Sequence, residues 1–353
     1  MLRCIKCGRA YPDEFRLVCV CGGPLDAVSK FEKPFGDLLR KEYLDIRRYF
    51  GFLPIKEEHA PRLVLPVTPI VEREVKGVRA LFKLEYLMPS GSFKDRGTYV
   101  TVAKLKEEGV WDVVLDSSGN AAISLAMFAK SEGLRVHIFI PKSTGKGKKR
   151  LLEMLGAEVH EIEGSRMETH EAALEFGGGT YISHWLNPYF LEGTKTVAYE
   201  AFEQIGDVDY VISPVGSGSL FLGLWKGFSE LRKMGEIEKL PVFIAVQAKG
   251  FESLCTRSRG RSRLAEGIAI SEPPRREQML KVLRETNGAC VSVGDGEISN
   301  ALHELWDMGF LVEPTSAVVL AALKKLTASG EIEEKSRVLL PLTGSGLKTG
   351  LGH

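Results

Sequence analysis

The most informative segment of this chain runs Ser90-Gly91-Ser92-Phe93-Lys94-Asp95-Arg96-Gly97. It follows an apolar run over residues 79–85 and precedes an amphipathic stretch over residues 99–108, so the lysine lies in a tight turn where a helix begins. An ordinary solvated lysine is one interpretation, although a cation gains nothing at the positive end of a helix dipole. The other is a half-buried Lys94 that loses its proton and forms a Schiff base with an aldehyde cofactor.

A second polar segment, Asp116-Ser117-Ser118-Gly119-Asn120, lies between a predicted strand and a predicted helix. Hydroxyls and backbone amides at a helix N-terminus form a cradle for a carboxylate. Serine and asparagine are equally typical of an ordinary helix cap. Both interpretations stay open on these residues alone.

A third segment, Val215-Gly216-Ser217-Gly218-Ser219-Leu220, follows a β-branched run and opens a helix. Its glycines allow close backbone approach, and successive amides form a nest for an anion such as phosphate. The dinucleotide fingerprint does not match, because Phe221 stands where a third glycine is required. The segment also lacks the Gly-Lys-Ser/Thr of a P-loop, so a different phosphate cradle is predicted.

The last segment, Leu342-Thr343-Gly344-Ser345-Gly346-Leu347-Lys348, ends the final strong strand. In this order, the four segments resemble the motifs of the fold type II pyridoxal-phosphate (PLP) enzymes, closest to threonine synthase and the threonine dehydratases. The resemblance spans residues 65–347. It implies that Lys94 carries PLP, that Asn120 contacts its phenolic oxygen, that residues 216–220 hold its phosphate and that Thr343 meets its pyridine nitrogen. It also implies that residues 117–119 bind the substrate carboxylate.

The segment over residues 183–196 is similar to a threonine synthase stretch but departs from it. Asn187 matches, and we expect it to contact the substrate. The amide, hydroxyl and arginine that hold the substrate phosphate in that family correspond here to His184, Trp185 and Phe190. Phenylalanine cannot replace a bidentate guanidinium. Either the substrate carries no phosphate or another cation takes it, and the candidates are Lys146, Lys148, Lys149 and Arg150.

The resemblance implies a PLP-dependent lyase of the threonine synthase type, with Lys94 as general base at the α-carbon. Phosphate would leave the γ-carbon of O-phospho-L-homoserine and water would add at the β-carbon. The alternatives on the same scaffold are a serine/threonine dehydratase and a cysteine- or cysteate-forming β-replacement synthase. A catalytically idle relative that uses its cysteines as a contact surface is a different class, against which the intact Lys94 and the phosphate nest argue.

The N-terminal residues 1–28 form a separate zinc-ribbon-like unit with the pattern Cys4-x2-Cys7 and Cys19-x-Cys21, each pair followed by glycine. Four thiolates at such turns suit a structural zinc ion. The second pair is one residue short, and two disulfides or free thiols are the alternatives. Cys255 and Cys290 are isolated in sequence, so we expect buried apolar fillers.

Composition limits the remaining possibilities. The net charge of +1 over 353 residues gives no electrostatic reason for binding nucleic acid or a membrane. No apolar run reaches the roughly 20 residues that span a bilayer, and no signal peptide is recognisable. We therefore expect a cytoplasmic homodimer that acts on a small amino-acid substrate. Scarce Asn and Gln with abundant Glu, Lys and Arg indicate a heat-adapted source.

Strand and helix patterns alternate after residue 66, for example in strands over 112–116, 135–140, 158–162, 210–215, 241–247 and 337–341. This alternation predicts an α/β fold of open parallel sheets with ligand sites at the strand carboxyl ends. By resemblance, there are two parallel-sheet domains of the fold type II PLP enzyme type. The large PLP-binding domain comprises residues 29–87 and 179–353, and the small mobile domain residues 88–178. A helical stretch is also expected near residues 37–49.

Overall fold

The computed structural model describes residues 1–348 and divides into two compact units. The first unit comprises residues 1–32, 38–66 and 94–193. The second comprises residues 33–37, 67–93 and the chain from residue 194 onward. These bounds differ from the predicted domain limits at residues 88 and 178, which stay a prediction. Residues 349–353 of the predicted large domain lie outside the described residues.

Strands and helices alternate along most of the chain. The strands are β1 (Leu2–Cys4), β2 (Ala10–Tyr11), β3 (Leu25–Ala27), β4 (Ile70–Val75), β5 (Val78–Lys83), β6 (Asp112–Asp116), β7 (Arg135–Pro141), β8 (Glu158–Ile162), β9 (Thr180–Tyr181), β10 (Tyr210–Pro214), β11 (Val242–Ala248), β12 (Ala289–Val293) and β13 (Arg337–Pro341). The helices are α1 (Phe35–Leu38), α2 (Lys94–Glu107), α3 (Asn120–Glu132), α4 (Lys146–Met154), α5 (Arg166–Glu175), α6 (Pro188–Thr194), α7 (Thr196–Ile205), α8 (Ser219–Lys233), α9 (Arg276–Glu285), α10 (Asp295–Asp307) and α11 (Pro314–Ala328).

The first unit contains two sheets. A parallel four-stranded sheet has the order β8-β7-β6-β9, and a small antiparallel sheet near the N-terminus has the order β2-β1-β3. Local sequence signals set the helix ends: Ser165 and Glu168 form a capping box that begins α5, and Gly133 ends α3 in the left-handed region. Because β6, β7, β8 and β9 are parallel, the loop that follows each of them begins at the carboxyl edge of the four-stranded sheet.

The second unit contains a six-stranded sheet in the order β12-β11-β10-β13-β5-β4. All neighbouring strands are parallel except β4, which pairs with β5 in the antiparallel sense. The central strands are short apolar runs because helices cover both faces of a parallel sheet. The core combines these strands with α10 and α11, and Phe82, Leu320 and Leu340 are fully buried in it.

The predicted α/β fold with parallel sheets is confirmed, and β6, β8 and β13 have the predicted bounds. The helix predicted near residues 37–49 is wrong. Only a single turn, α1, forms there, and a 3₁₀ helix begins at Ile46. The side chain of Asp45 accepts a hydrogen bond from the Arg47 N–H and thereby starts the new helix, because Asp competes with helical hydrogen bonds from the preceding residues.

The expectation for Cys255 and Cys290 is also wrong, because the two residues form a disulfide. Cys290 lies on β12, and Cys255 lies in the loop after β11. The side-chain carbonyl of Gln247 accepts backbone N–H bonds from Ser253, Leu254 and Cys255, which folds this loop back over the neighbouring strands. The two cysteines are 35 residues apart in the sequence, so the pairing becomes visible only once the loop is folded. Among residues 1–348, no helix has the length and apolar character to cross a bilayer.

Candidate active site

Lys94 is the first residue of α2 and is half-buried. Its Nζ lies 5.6 Å from the centroid of the Phe190 ring, which α6 contributes. Two glycines allow this approach: a Cβ at Gly97 would lie 2.4 Å from the Phe190 ring, and one at Gly193 would lie 1.9 Å from the Arg96 carbonyl. The backbones of α6 and α2 therefore pack closely, and an aromatic ring lies over the candidate cofactor lysine.

His184 lies beside Phe190, and the two side chains together form a surface near Lys94 that we call the wall. Its ring lies 6.2 Å from that of Phe190, and its buried Nδ1 has no hydrogen-bond partner among the described residues. Burial first, and then the positive charge of Lys94, lowers the pKa of His184 well below its ordinary value. Both effects favour the neutral imidazole. It and Phe190 line a narrow cavity with Thr98, Thr101 and Leu115.

Neither Phe190 nor a neutral His184 reproduces the guanidinium that the resemblance places here, although the charge of Arg166 on α5 also contributes to lowering the pKa of His184. The alternative cations predicted from sequence lie on α4, where Lys149 pairs with Glu161 and both Lys146 and Arg150 are exposed. Phe190 has no hydrogen-bond donor, and a neutral His184 has one N–H to offer a phosphate.

The loop over residues 117–120 lies between β6 and α3 and is half-buried. The hydroxyl of Ser117 accepts a hydrogen bond from the Gly119 N–H at 3.3 Å. Gly119 is the N-cap of α3 and no side chain among the described residues caps that end. A carboxylate suits this position because the positive end of the α3 dipole lies beside the hydroxyl of Ser117.

Asp116, the last residue of β6, precedes this loop and is held by two side-chain hydrogen bonds. One of its oxygens accepts from the Tyr181 hydroxyl at 2.5 Å, and the other lies 2.9 Å from His170 Nδ1. The hydrogen bond to Asp116 raises the pKa of His170. Sequence reasoning missed His170 and Tyr181, since they are more than fifty residues away and belong to no motif. Their contacts hold the end of β6 in one position.

Asn187 is buried and makes three hydrogen bonds within the first unit. Its amide N–H groups donate to the Thr101 hydroxyl at 3.0 Å and to the Ile182 carbonyl at 3.3 Å. Its carbonyl oxygen accepts from the Tyr189 N–H at 2.9 Å, at the start of α6. These bonds give Asn187 a positioning role for the α6 that carries Phe190. The predicted contact between Asn187 and the substrate stays a prediction.

The glycine-serine turn over residues 216–220 lies in the second unit, between β10 and α8, and is buried throughout. Gly218 has a φ of +84° and is the N-cap of α8, and no side chain of the described part caps this end. A Cβ at Gly216 would lie 2.8 Å from Ile268 Cα, and one at Gly218 would lie 2.2 Å from Met279 Sδ. A buried, uncapped helix N-terminus with this close packing suits a bound anion.

Thr343 is buried in the second unit, directly after β13. Its hydroxyl lies 3.2 Å from that of Ser316, which in turn accepts from the Gly344 N–H at 2.9 Å. Its carbonyl accepts from the N–H of Phe93 at 3.1 Å, and Phe93 immediately precedes Lys94 in the chain. Ser316, on α11, orients the Thr343 hydroxyl, and no sequence motif pointed to it.

The four N-terminal cysteines converge in the first unit. Sγ distances are 3.6 Å for Cys4–Cys21, 3.6 Å for Cys7–Cys19 and 3.5 Å for Cys7–Cys21. Tetrahedral zinc with Zn–S bonds of about 2.3 Å places its sulfurs about 3.8 Å apart, whereas a disulfide brings two to about 2.0 Å. The N–H of Cys21 and the hydroxyl of Tyr11 lower the pKa of Cys19 to about 6. The cluster therefore suits a metal better than two disulfides.

Comparison with known proteins agrees with this geometry. The model of the family described as "Pyridoxal-phosphate dependent enzyme" matches residues 63–344. The threonine synthase of Methanocaldococcus jannaschii is 33% identical, with 98% of this chain and 92% of the relative covered. That of Halalkalibacterium halodurans is 35% identical, with 86% and 89% covered. Among solved structures, maize serine racemase superposes with a TM-score of 0.70 at 23% identity, covering 80% and 89%, which shows the fold alone.

Proposed function

The chain belongs to the pyridoxal-phosphate-dependent enzyme family, and on that premise we propose that it is a threonine synthase. It converts O-phospho-L-homoserine and water to L-threonine and phosphate. The observation that carries this proposal is the identity of 33–35% with threonine synthases over 86–98% of the chain. The match that covers 98% of the chain extends into both compact units.

The residues present fit the cofactor. We assign the PLP aldehyde to Lys94, the phenolic oxygen to Asn120, the phosphate to residues 216–220 and the ring nitrogen to Thr343. The buried and uncapped N-terminus of α8 supports the phosphate assignment, because a phosphate satisfies N–H groups that otherwise stay desolvated. When bound, PLP supplies an electron sink for the α-carbon of an amino acid.

The chain's own residues supply binding and proton transfer. Residues 117–119 bind the substrate carboxylate through hydroxyls and the amides of α3. The amine of Lys94 takes the proton from the α-carbon and returns it later in the cycle. Thr343 offers a neutral hydroxyl, which does not hold the ring nitrogen protonated as a carboxylate would. This favours elimination and replacement over transamination.

A second candidate, a serine/threonine dehydratase, is favoured by one observation. The surface beside Lys94 includes the Phe190 ring and His184, whose pKa is lowered by burial, so it has no guanidinium at position 190 for a substrate phosphate. An unphosphorylated side chain is compatible with this surface without any change. The dehydratase would release ammonia and a keto acid.

Product analysis of the purified holoenzyme separates the two. Phosphohomoserine, threonine, serine and phosphoserine are supplied in parallel, and phosphate, threonine, ammonia and keto acids are measured. The proposal expects phosphate and threonine in equal amounts from phosphohomoserine. Ammonia and keto acid from serine or threonine, with no reaction of phosphohomoserine, would establish the dehydratase instead.

We also infer a structural zinc ion on Cys4, Cys7, Cys19 and Cys21, supported by the spacing of their sulfurs. A cytoplasmic homodimer with a small mobile domain over residues 88–178 completes the proposal. Elemental analysis that finds no zinc would remove the first inference. Light scattering that gives a monomer mass would remove the second.

A further inference from the structure

We propose that His137, Glu158 and His160 form a second metal site, which binds a divalent transition-metal ion such as Zn²⁺. The three residues lie on β7 and β8, outside every motif assigned above. This inference does not depend on the proposed function. It rests on the convergence of three ligand atoms from two neighbouring strands.

Sheet register produces this convergence. His137 on β7 is the direct partner of Glu158 on β8, and Phe139 is the partner of His160. Because side chains alternate between the faces of a sheet, Glu158 and His160 lie on the same face as His137. The three side chains therefore meet without any distortion of the strands.

The distances suit one ion. His137 Nδ1 lies 3.2 Å from His160 Nε2 and 3.3 Å from a Glu158 oxygen. Metal–ligand bonds of about 2.1 Å at angles of about 90–110° place neighbouring ligand atoms about 3.0–3.4 Å apart. Two imidazoles and one carboxylate form a donor set that suits zinc and similar ions, with water completing the coordination.

The surroundings fix the two imidazole rings. Phe139 stacks on His160 with ring centroids 4.4 Å apart, and Phe176, which follows α5, lies 4.7 Å from His137 and 5.1 Å from His160. His137 is buried, whereas Glu158 is exposed and His160 is half-buried, so an ion can enter from the Glu158 side. Arg135 lies 3.9 Å from Glu158, but it contacts the oxygen that does not face His137.

The test uses the full-length holoenzyme with its cysteine ribbon already loaded with zinc. Co²⁺ is titrated, because Co²⁺ does not displace Zn²⁺ from thiolates and its visible spectrum reports nitrogen and oxygen ligands. We expect a Co²⁺ spectrum without the sulfur charge-transfer band, and a higher melting temperature at saturating Co²⁺. His160→Gln and Glu158→Gln should each weaken binding about tenfold or more.

His303→Gln is the matched control, since His303 is an exposed histidine on α10, and it should leave Co²⁺ binding unchanged. Glu158 is exposed and His160 is half-buried, and circular dichroism verifies that both Gln variants fold. The proposal fails if wild type with zinc in its ribbon binds no Co²⁺. It also fails if His160→Gln and Glu158→Gln bind Co²⁺ as tightly as wild type does.

Discussion

The buried turn over residues 216–220 and the wall formed by His184 and Phe190 have diverged to different degrees from the family pattern. The turn keeps its glycines, its uncapped helix end and its close packing. The wall has lost every polar group that the resemblance associates with a substrate phosphate. The two lie in separate compact units. On the proposed assignments, the turn keeps the features that suit the cofactor phosphate, whereas the wall differs from the family pattern beside the substrate.

The largest effect on turnover is expected for Lys94, because the proposed cofactor chemistry depends on its amine nitrogen. Lys94→Ala should lower turnover by about 10³-fold or more and abolish the covalent link to PLP. Lys130→Ala makes the same change on the exposed face of α3 and should be silent. Borohydride reduction followed by peptide mass spectrometry identifies the modified lysine. A trapped adduct on another lysine in the Lys94→Ala variant would refute the assignment.

A single added methyl group should disrupt the close packing of the turn over residues 216–220. Gly218→Ala forces an alanine into a left-handed conformation and against Met279. Gly235→Ala shares the first penalty, with a φ of +81°, but has open space at its Cβ. Both variants should lose about 1 kcal/mol or more of stability. Only Gly218→Ala should also weaken PLP binding, by about tenfold, in an absorbance titration.

An arginine introduced in place of Phe190 tests whether the wall lies near the substrate phosphate. A charge-assisted phosphate contact contributes roughly 1.5–3 kcal/mol, which corresponds to about ten- to a hundredfold. Phe190→Arg should therefore raise kcat/KM for phosphohomoserine relative to serine by about that factor. Phe190→Met, which is also neutral, controls for the lost ring. An unchanged ratio in Phe190→Arg would mean that the phosphate does not bind near this wall.

The sequence predicted features that depend on local pattern, and missed those that depend on tertiary contacts. β6, β8 and β13 could be predicted because short β-branched runs are bounded by turns. The hydrogen bond between Asn187 and Thr101 and the contact of Thr343 with Ser316 join residues tens of positions apart. No periodicity or spacing encodes them. The cysteine pair 255–290 was missed for the same reason, because a folded loop joins it.

The smallest effect on catalysis is expected at the cysteine ribbon, which contains no proposed active-site residue. Asp13, in the ribbon, accepts hydrogen bonds from Lys104 on α2 and from the Tyr189 hydroxyl on α6. Cys7→Ser should abolish zinc binding and lower the melting temperature by several degrees, while kcat changes about twofold or less. Val20→Ser places the same residue in the same ribbon without removing a ligand, and should do neither. A large loss of kcat in folded Cys7→Ser would contradict this separation.

The central claim is that the chain makes threonine by eliminating phosphate from carbon and then adding water. The most direct measurement is turnover of phosphohomoserine in water enriched in ¹⁸O, with products analysed by mass spectrometry. The account predicts solvent oxygen in the hydroxyl of threonine and none in the released phosphate, and no product from Lys94→Ala. Labelled phosphate with homoserine as the other product would show hydrolysis at phosphorus and contradict the account.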